Sequence, residues 1–257
     1  MTPVRVLPKL PDPYRLGGPA WLEKEKGVLS NQQCIHGAAI ATRQQIQNIW
    51  ERVTAGFRRS ASLDGFPPVP DSRLVRVAEE AAMEQNVELR SHGVRTALFG
   101  RALAFIDKVQ LDPELLHVCG LLHDVGLMKA VTGEDFTVRS ANVARKCACD
   151  AGEAQEVGEH LSDALMVHTT VGVDPHKDGA LGAYTQYGAM VDLTGLRLSA
   201  LPQQFVTDVL VAHPRGALKR EILSRLSAEA AAVPGGRFAF ARKVGLPLAI
   251  QLAPFKT

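Results

Sequence analysis

The chain has 257 residues, 46% of them hydrophobic and 22% charged, which is the balance of a globular protein with one core of useful size. The formal net charge is only +2 and no block of Lys or Arg occurs, so composition argues against a nucleic-acid binder. No apolar run approaches the ~20 residues that span a bilayer, and the proline-broken start MTPVRVLPKLPDPYR has no h-region, so neither a membrane span nor a signal peptide is expected.

Residues 1–30 are rich in Pro and Gly, show no sustained period, and read as an irregular arm. In 37–57 the residues Ile40, Ile46, Ile49, Trp50, Val53 and Phe57 recur at helical spacing and predict one helix. Trp21 and Trp50 read as packing residues rather than as ligand-binding ones. The segment GFPPVPDS then interrupts the chain, which divides it into an arm, 1–64, and a main domain, 65–257. Asp71 or Ser72 can cap a helix running to about Gln85, and another is expected from about Val87 to Val109. In LDPELLHVCGLLHDVGL, Asp112 has the character of an N-cap, Pro113 of a first helical position and Glu114 of a first-turn acid. Apolar residues lie on nearly every face of this helix, so it should be central and buried, with Gly126 ending it. Further helices are expected at 138–151, 155–169, 178–194, 203–212 and 215–231. No stretch alternates cleanly enough to be a strand, and the expected fold class is all-α. Cys34, Cys119, Cys147 and Cys149 form no CxxC pair, so no disulfide framework is expected and a reducing cytoplasm is the default location.

One short stretch stands out. In LLHDVGL, His123 and Asp124 are adjacent within an apolar run, where an ionised carboxylate is costly unless paired. Imidazole and carboxylate are good ligands for divalent metals. Neighbours on a helix point about 100° apart, so the two can share one ion at a helix end. Candidates to join them are His92, in LRSHGVRTALFG, with Arg95 one turn on; Asp192, in YGAMVDLTG; and His168, at the end of ALMVHTT. Of the other histidines, His117 reads as structural, His160 as solvent-facing beside Glu159, His176 as a loop residue and His213 as a helix end.

The order His92, His123–Asp124, Asp192 resembles the H…HD…D quartet of the HD superfamily of metal-dependent hydrolases. The segments FPPVPDSRLVRVAEEA…SHGVRTALFGRALA, LLHDVGL, MVHTTVGVDP, YGAMVDLTGL and AHPRGALKREI further resemble the cyanamide hydratase branch, over about residues 65–225. The resemblance implies an HD-type helical bundle. It implies His92, His123, Asp124 and Asp192 as ligands of a divalent metal, zinc first with iron or manganese as alternatives, and Asp124 as a proton acceptor as well. His168 is the candidate for an acid beside the site, or for a ligand to a second metal together with His160. The sequence departs from the branch at Ser140, Ala141, Thr169 and Val191, which read as pocket positions and point to a changed substrate.

The implied activity is that of a metal-dependent hydratase or hydrolase, with activated water adding to a small nitrile-like substrate such as cyanamide. The alternative is a phosphohydrolase acting on a nucleotide or another phosphomonoester, for which Arg95, Lys129 and Arg139 are the candidate cations. Arg95 can instead pair with a ligand carboxylate. A binding-only HD module is a third reading, against which the intact quartet argues, and a two-metal site would point to an oxygenase. The expected partner is a small-molecule substrate, with a homo-oligomer possible through exchange of the arm.

Overall fold

The computed structural model describes residues 5, 7–54 and 61–255. Among these the regular structure is all helical: twelve α-helices and no strand. They are α1 (Pro19–Glu25), α2 (Asn31–Thr54), α3 (Arg73–Ala82), α4 (Val87–Ile106), α5 (Pro113–Leu122), α6 (Phe136–Ala151), α7 (Gln155–Val167), α8 (Ala180–Thr194), α9 (Gln203–Ala212), α10 (Leu218–Ala232), α11 (Arg237–Lys243) and α12 (Leu246–Gln251). A short 3₁₀ turn, Val125–Met128, follows α5.

The helix starts follow from local chemistry. Ser72 Oγ accepts from Val75 N at 3.1 Å, Asn86 Oδ1 from Leu89 N at 3.0 Å, and Asp112 Oδ1 from Glu114 N at 2.9 Å. Each satisfies an otherwise orphaned N–H and contributes about 1 kcal/mol. The core is built from the pairings of α4 with α8, α6 with α7 and α4 with α5. Helix α5 is buried along most of its length, as its all-round apolar pattern requires.

The pairing of α4 with α8 depends on glycine. A Cβ on Gly188 would lie 2.1 Å from Thr96 O, and one on Gly100 would lie 2.6 Å from Tyr184 O. The two backbones therefore touch. One turn beyond this contact, His92 of α4 and Asp192 of α8 meet.

The arm lies against the body. Arg5 pairs with Asp112 and, at 2.7 Å, with Glu114; Arg15 pairs with Asp163 at 2.6 Å. Trp21 and Leu22 enter the same apolar cluster as α3, α5, α6 and α7.

Four expectations need correction. Residues 1–30 are not wholly irregular, because Pro at the first position and a left-handed Lys26 at the end delimit α1. Helix α5 stops at Leu122, four residues before Gly126. The C-terminal α11 and α12, too short to show a period, were not anticipated. On α2, Ile46, Ile49, Trp50 and Val53 are all more than 60% exposed, so Trp50 is not a packing residue of the described structure. Phe57 lies outside the described residues.

Candidate metal centre

His123 is the C-cap of helix α5, and Asp124 leaves the helical region with φ −105° and ψ 4°. The chain bends there, and the Asp124 carboxylate folds back on its neighbour. Asp124 Oδ2 lies 3.2 Å from His123 Nε2 and 3.6 Å from His92 Nε2, and the two Nε2 atoms are 3.3 Å apart. All three side chains are buried. Donors that each sit about 2.0–2.1 Å from a tetrahedral ion stand roughly 3.3–3.4 Å from one another, so this spacing suits a divalent metal.

The hydrogen bonds behind the rings decide what the front presents. His123 Nδ1 lies 2.8 Å from Gly120 O, which can only accept, so the proton is on Nδ1. His92 Nδ1 lies 2.7 Å from Asp192 Oδ2, which assigns its proton in the same way. In the neutral rings both Nε2 atoms are then lone pairs, facing each other and a carboxylate oxygen. Three acceptors converging in a buried site require positive charge between them.

A proton can supply that charge in place of an ion. Burial alone would lower the pKa of His123, but the Asp124 carboxylate outweighs it and the net shift is upward. Burial would raise Asp124, yet His123, with His92 and His168, brings it down to about 2. His92 is lowered by burial, against the pull of Asp192. Metal binding here would displace a proton, as is general for His and carboxylate sites.

Asp192 is not at the front with these three. Its Oδ2 accepts from His92 Nδ1 and from Arg95 at 2.8 Å, and its Oδ1 accepts from Arg215. Both oxygens are thus occupied, and the aspartate expected as a fourth ligand stands behind His92 as its hydrogen-bond acceptor. Burial would raise its pKa, but His92, Arg95 and Arg215 hold it far below the carboxylate range. Arg95 also donates to the carbonyls of His213 and Pro214 at 2.9 and 3.0 Å. Arg215, which the sequence reading did not single out within AHPRG, lies over the Phe255 ring.

His168 stands next to the group rather than in it. Its ring is edge-on to those of His123 and Phe136, with centroids 5.3 and 5.9 Å away. Nδ1 lies 2.6 Å from Leu165 O, which leaves Nε2 as the acceptor. Burial first, and the neighbouring His123 second, push its pKa down to about 3.

The turn itself is clasped from α6. Ser140 Oγ donates to His123 O at 2.8 Å and accepts from Gly126 N at 2.9 Å. Ser140 is therefore a support of the His–Asp turn and not a pocket residue. Ala141 and Val191 are core residues with no exposure, and of the four departures only Thr169 lines the cleft beside the site. His160 does not approach the centre; its Nε2 lies 2.6 Å from Pro8 O in the arm. Arg139 is engaged by Glu229 and Glu134, and Lys129 is exposed.

A cleft of about 1170 Å³, counted out to its mouth, opens on His123, Asp124 and His168. Its walls come from α2, α8, α10, α11 and α12. No helix among the described residues is long and apolar enough to cross a membrane. Compared with family models and with curated proteins, the chain matches none.

Proposed function

We propose that the chain is a metal-dependent hydratase or hydrolase of the HD type, adding water to a small, uncharged, nitrile-like substrate. The observation that carries this reading is the convergence of His92 Nε2, His123 Nε2 and Asp124 Oδ2 within 3.2–3.6 Å, with His123 and Asp124 lining a cleft and His92 buried behind them. The donor set, two imidazoles and a carboxylate, suits zinc first and iron or manganese next. A bound divalent ion brings the pKa of water to about 7 and so supplies hydroxide at neutral pH.

The chain's own groups do the rest. Asp124 takes the proton that the water releases. Addition of that water to a nitrile would form the C–O bond, put one π pair and the proton taken by Asp124 on the nitrogen, and leave an amide after tautomerisation, which is urea when cyanamide is the substrate. His168 has its Nδ1–H committed to Leu165 O, so it presents an acceptor that orients the water, not the acid that the sequence implied. Asp192 fixes the His92 tautomer from behind, and Arg95 and Arg215 hold Asp192. The phosphohydrolase alternative is the weaker, because Arg95 and Arg139 are spent on internal carboxylates.

The test is metal content after dialysis, together with amide formation from cyanamide and simple nitriles, for protein loaded in turn with zinc, iron and manganese. Asp124→Ala removes one of three ligands and should abolish both bound metal and turnover. Undiminished turnover by that variant overturns the reading.

A further inference from the structure

The cleft above the centre has walls that the chemistry of cyanamide does not need. Met190 and Leu193 of α8, Ile222 and Leu226 of α10, Phe238 of α11 and Leu246 of α12 form an apolar lining of the cleft that His123 and Asp124 also line. Cyanamide has no carbon chain and would leave this surface uncovered.

Charge is almost absent from the walls. Among the described residues, the only charged lining residue apart from Asp124 is Arg237. Its guanidinium is consumed inside the protein: Nε and Nη2 donate to the two oxygens of Asp135 at 3.0 and 2.8 Å, Nη2 also to Thr137 Oγ1 at 2.7 Å, and Nη1 to Met166 O at 2.7 Å. A phosphate entering here would lose its hydration with no free cation among the described lining residues to replace it.

Polar capacity is small and specific. Thr169 Oγ1, one residue after His168, and Asn48 Oδ1 on α2 are buried oxygens without a hydrogen-bond partner among the described residues, and both residues line the cleft. Buried polar atoms are nearly always paired, so these two oxygens are unused polar capacity beside the cleft. Of the other polar groups on the walls, Gln45 donates to Val244 O at 2.8 Å and Gln186 to His168 O and Thr170 O.

We propose that this site takes an uncharged, elongated and mainly apolar molecule, a long-chain aliphatic nitrile or its amide, with its polar end at His123, Asp124, His168 and Thr169 and its chain along α8, α10, α11 and α12. The inference rests on the hydratase reading for its chemistry at the polar end, but not for the binding of the chain. Helix α2, from the arm, closes one wall through Ala41, Gln44 and Asn48, so the arm helps to define the specificity.

The experiment uses the full chain as purified, with bound metal measured on every sample. Displacement of the neutral fluorophore N-phenyl-1-naphthylamine reports the affinity of linear nitriles from propionitrile to octanenitrile, with phenyl phosphate and AMP as charged competitors. Affinity should rise about fourfold per added methylene, the worth of a buried CH₂, and the phosphate esters should not displace the probe. Ala241→Trp, which adds bulk to the cleft wall on α11, should abolish the gain for the longer chains while leaving metal content and melting temperature unchanged. A flat dependence on chain length, displacement by the phosphate esters, or a series unaffected by Ala241→Trp overturns the inference. Protein that shows the chain-length series but takes up no zinc, iron or manganese on loading would overturn the metal reading alone; metal-loaded protein with a flat series would overturn this inference alone.

Discussion

Replacing Asp192 by Asn separates a ligand from a support. The amide keeps the size of the side chain and an oxygen able to accept from His92 Nδ1, but it removes the charge that Arg95 and Arg215 share. Both arginines are buried, at 0% and 6% exposure. Removing one partner of a buried ion pair costs about 3–5 kcal/mol, of which the surviving hydrogen bonds return on the order of 1 kcal/mol. A net loss of about 3 kcal/mol, at roughly 2–4 °C per kcal/mol for a domain of this size, lowers the melting temperature by on the order of 10 °C. Losing the carboxylate behind a ligand imidazole weakens metal binding by about 10–100-fold, whereas losing a ligand in Asp124→Ala should leave no measurable site. Equilibrium dialysis against zinc and a thermal melt, on the wild type and both variants, test this together. If Asp192→Asn binds no metal at all, like Asp124→Ala, Asp192 is a ligand and the geometry has been misread. A melting temperature equal to that of the wild type would refute the role of the buried charge cluster.

His168→Ala should reduce nitrile turnover at least tenfold with metal content near that of the wild type; loss of metal would make His168 a ligand. His117 has its pKa lowered to about 4, by burial first and by Arg101 and His213 next. Between the unfolded value of about 6.5 and pH 4 the unfolded chain binds a proton that the folded chain refuses, so stability falls as the pH falls, by about 2–3 kcal/mol at pH 4.5. His117→Phe should show less of this loss in urea unfolding at pH 7 and 4.5, and an equal loss would refute the assignment. A methyl on Gly120 would sit 2.5 Å from Ala97 Cα, at the helix contact whose carbonyl holds His123 Nδ1. Gly120→Ala should therefore cost about 1–3 kcal/mol and weaken metal binding as well, as read by melting and zinc titration; wild-type values of both would refute it.

The fold class and most of the helices were legible in the sequence because their signals are local. Caps at Ser72 and Asp112, Pro113 at a first turn, and the all-round apolar pattern of α5 depend only on neighbours within a turn or two. The pairing of His123 with Asp124 was legible for the same reason: two adjacent polar residues in an apolar run must share a partner. The stretches that misled were those in which periodicity carries no information about the surroundings. Helix α2 has helical spacing, yet its apolar residues Ile46, Ile49, Trp50 and Val53 are exposed among the described residues. Residues 237–251 are too short to show a period, yet they build a wall of the cleft.

Which residues would hold an ion, and how, was a tertiary matter. His92 and Asp192 are 100 positions apart, and the sequence marks both as polar residues in apolar helices without saying which faces the centre. The close backbone contact at Gly188 and Gly100 brings α4 against α8, and Arg95 and Arg215 then draw the Asp192 carboxylate to the far side of His92. Ser140 looked like a pocket position until α6 laid it under the His–Asp turn. The sequence by itself determined an all-α chain with a buried His–Asp pair, because both follow from local propensity and from the cost of burying charge. Only the packing decided that His92, His123 and Asp124 share one point and Asp192 does not, because that depends on which long-range partners had already claimed each oxygen and nitrogen.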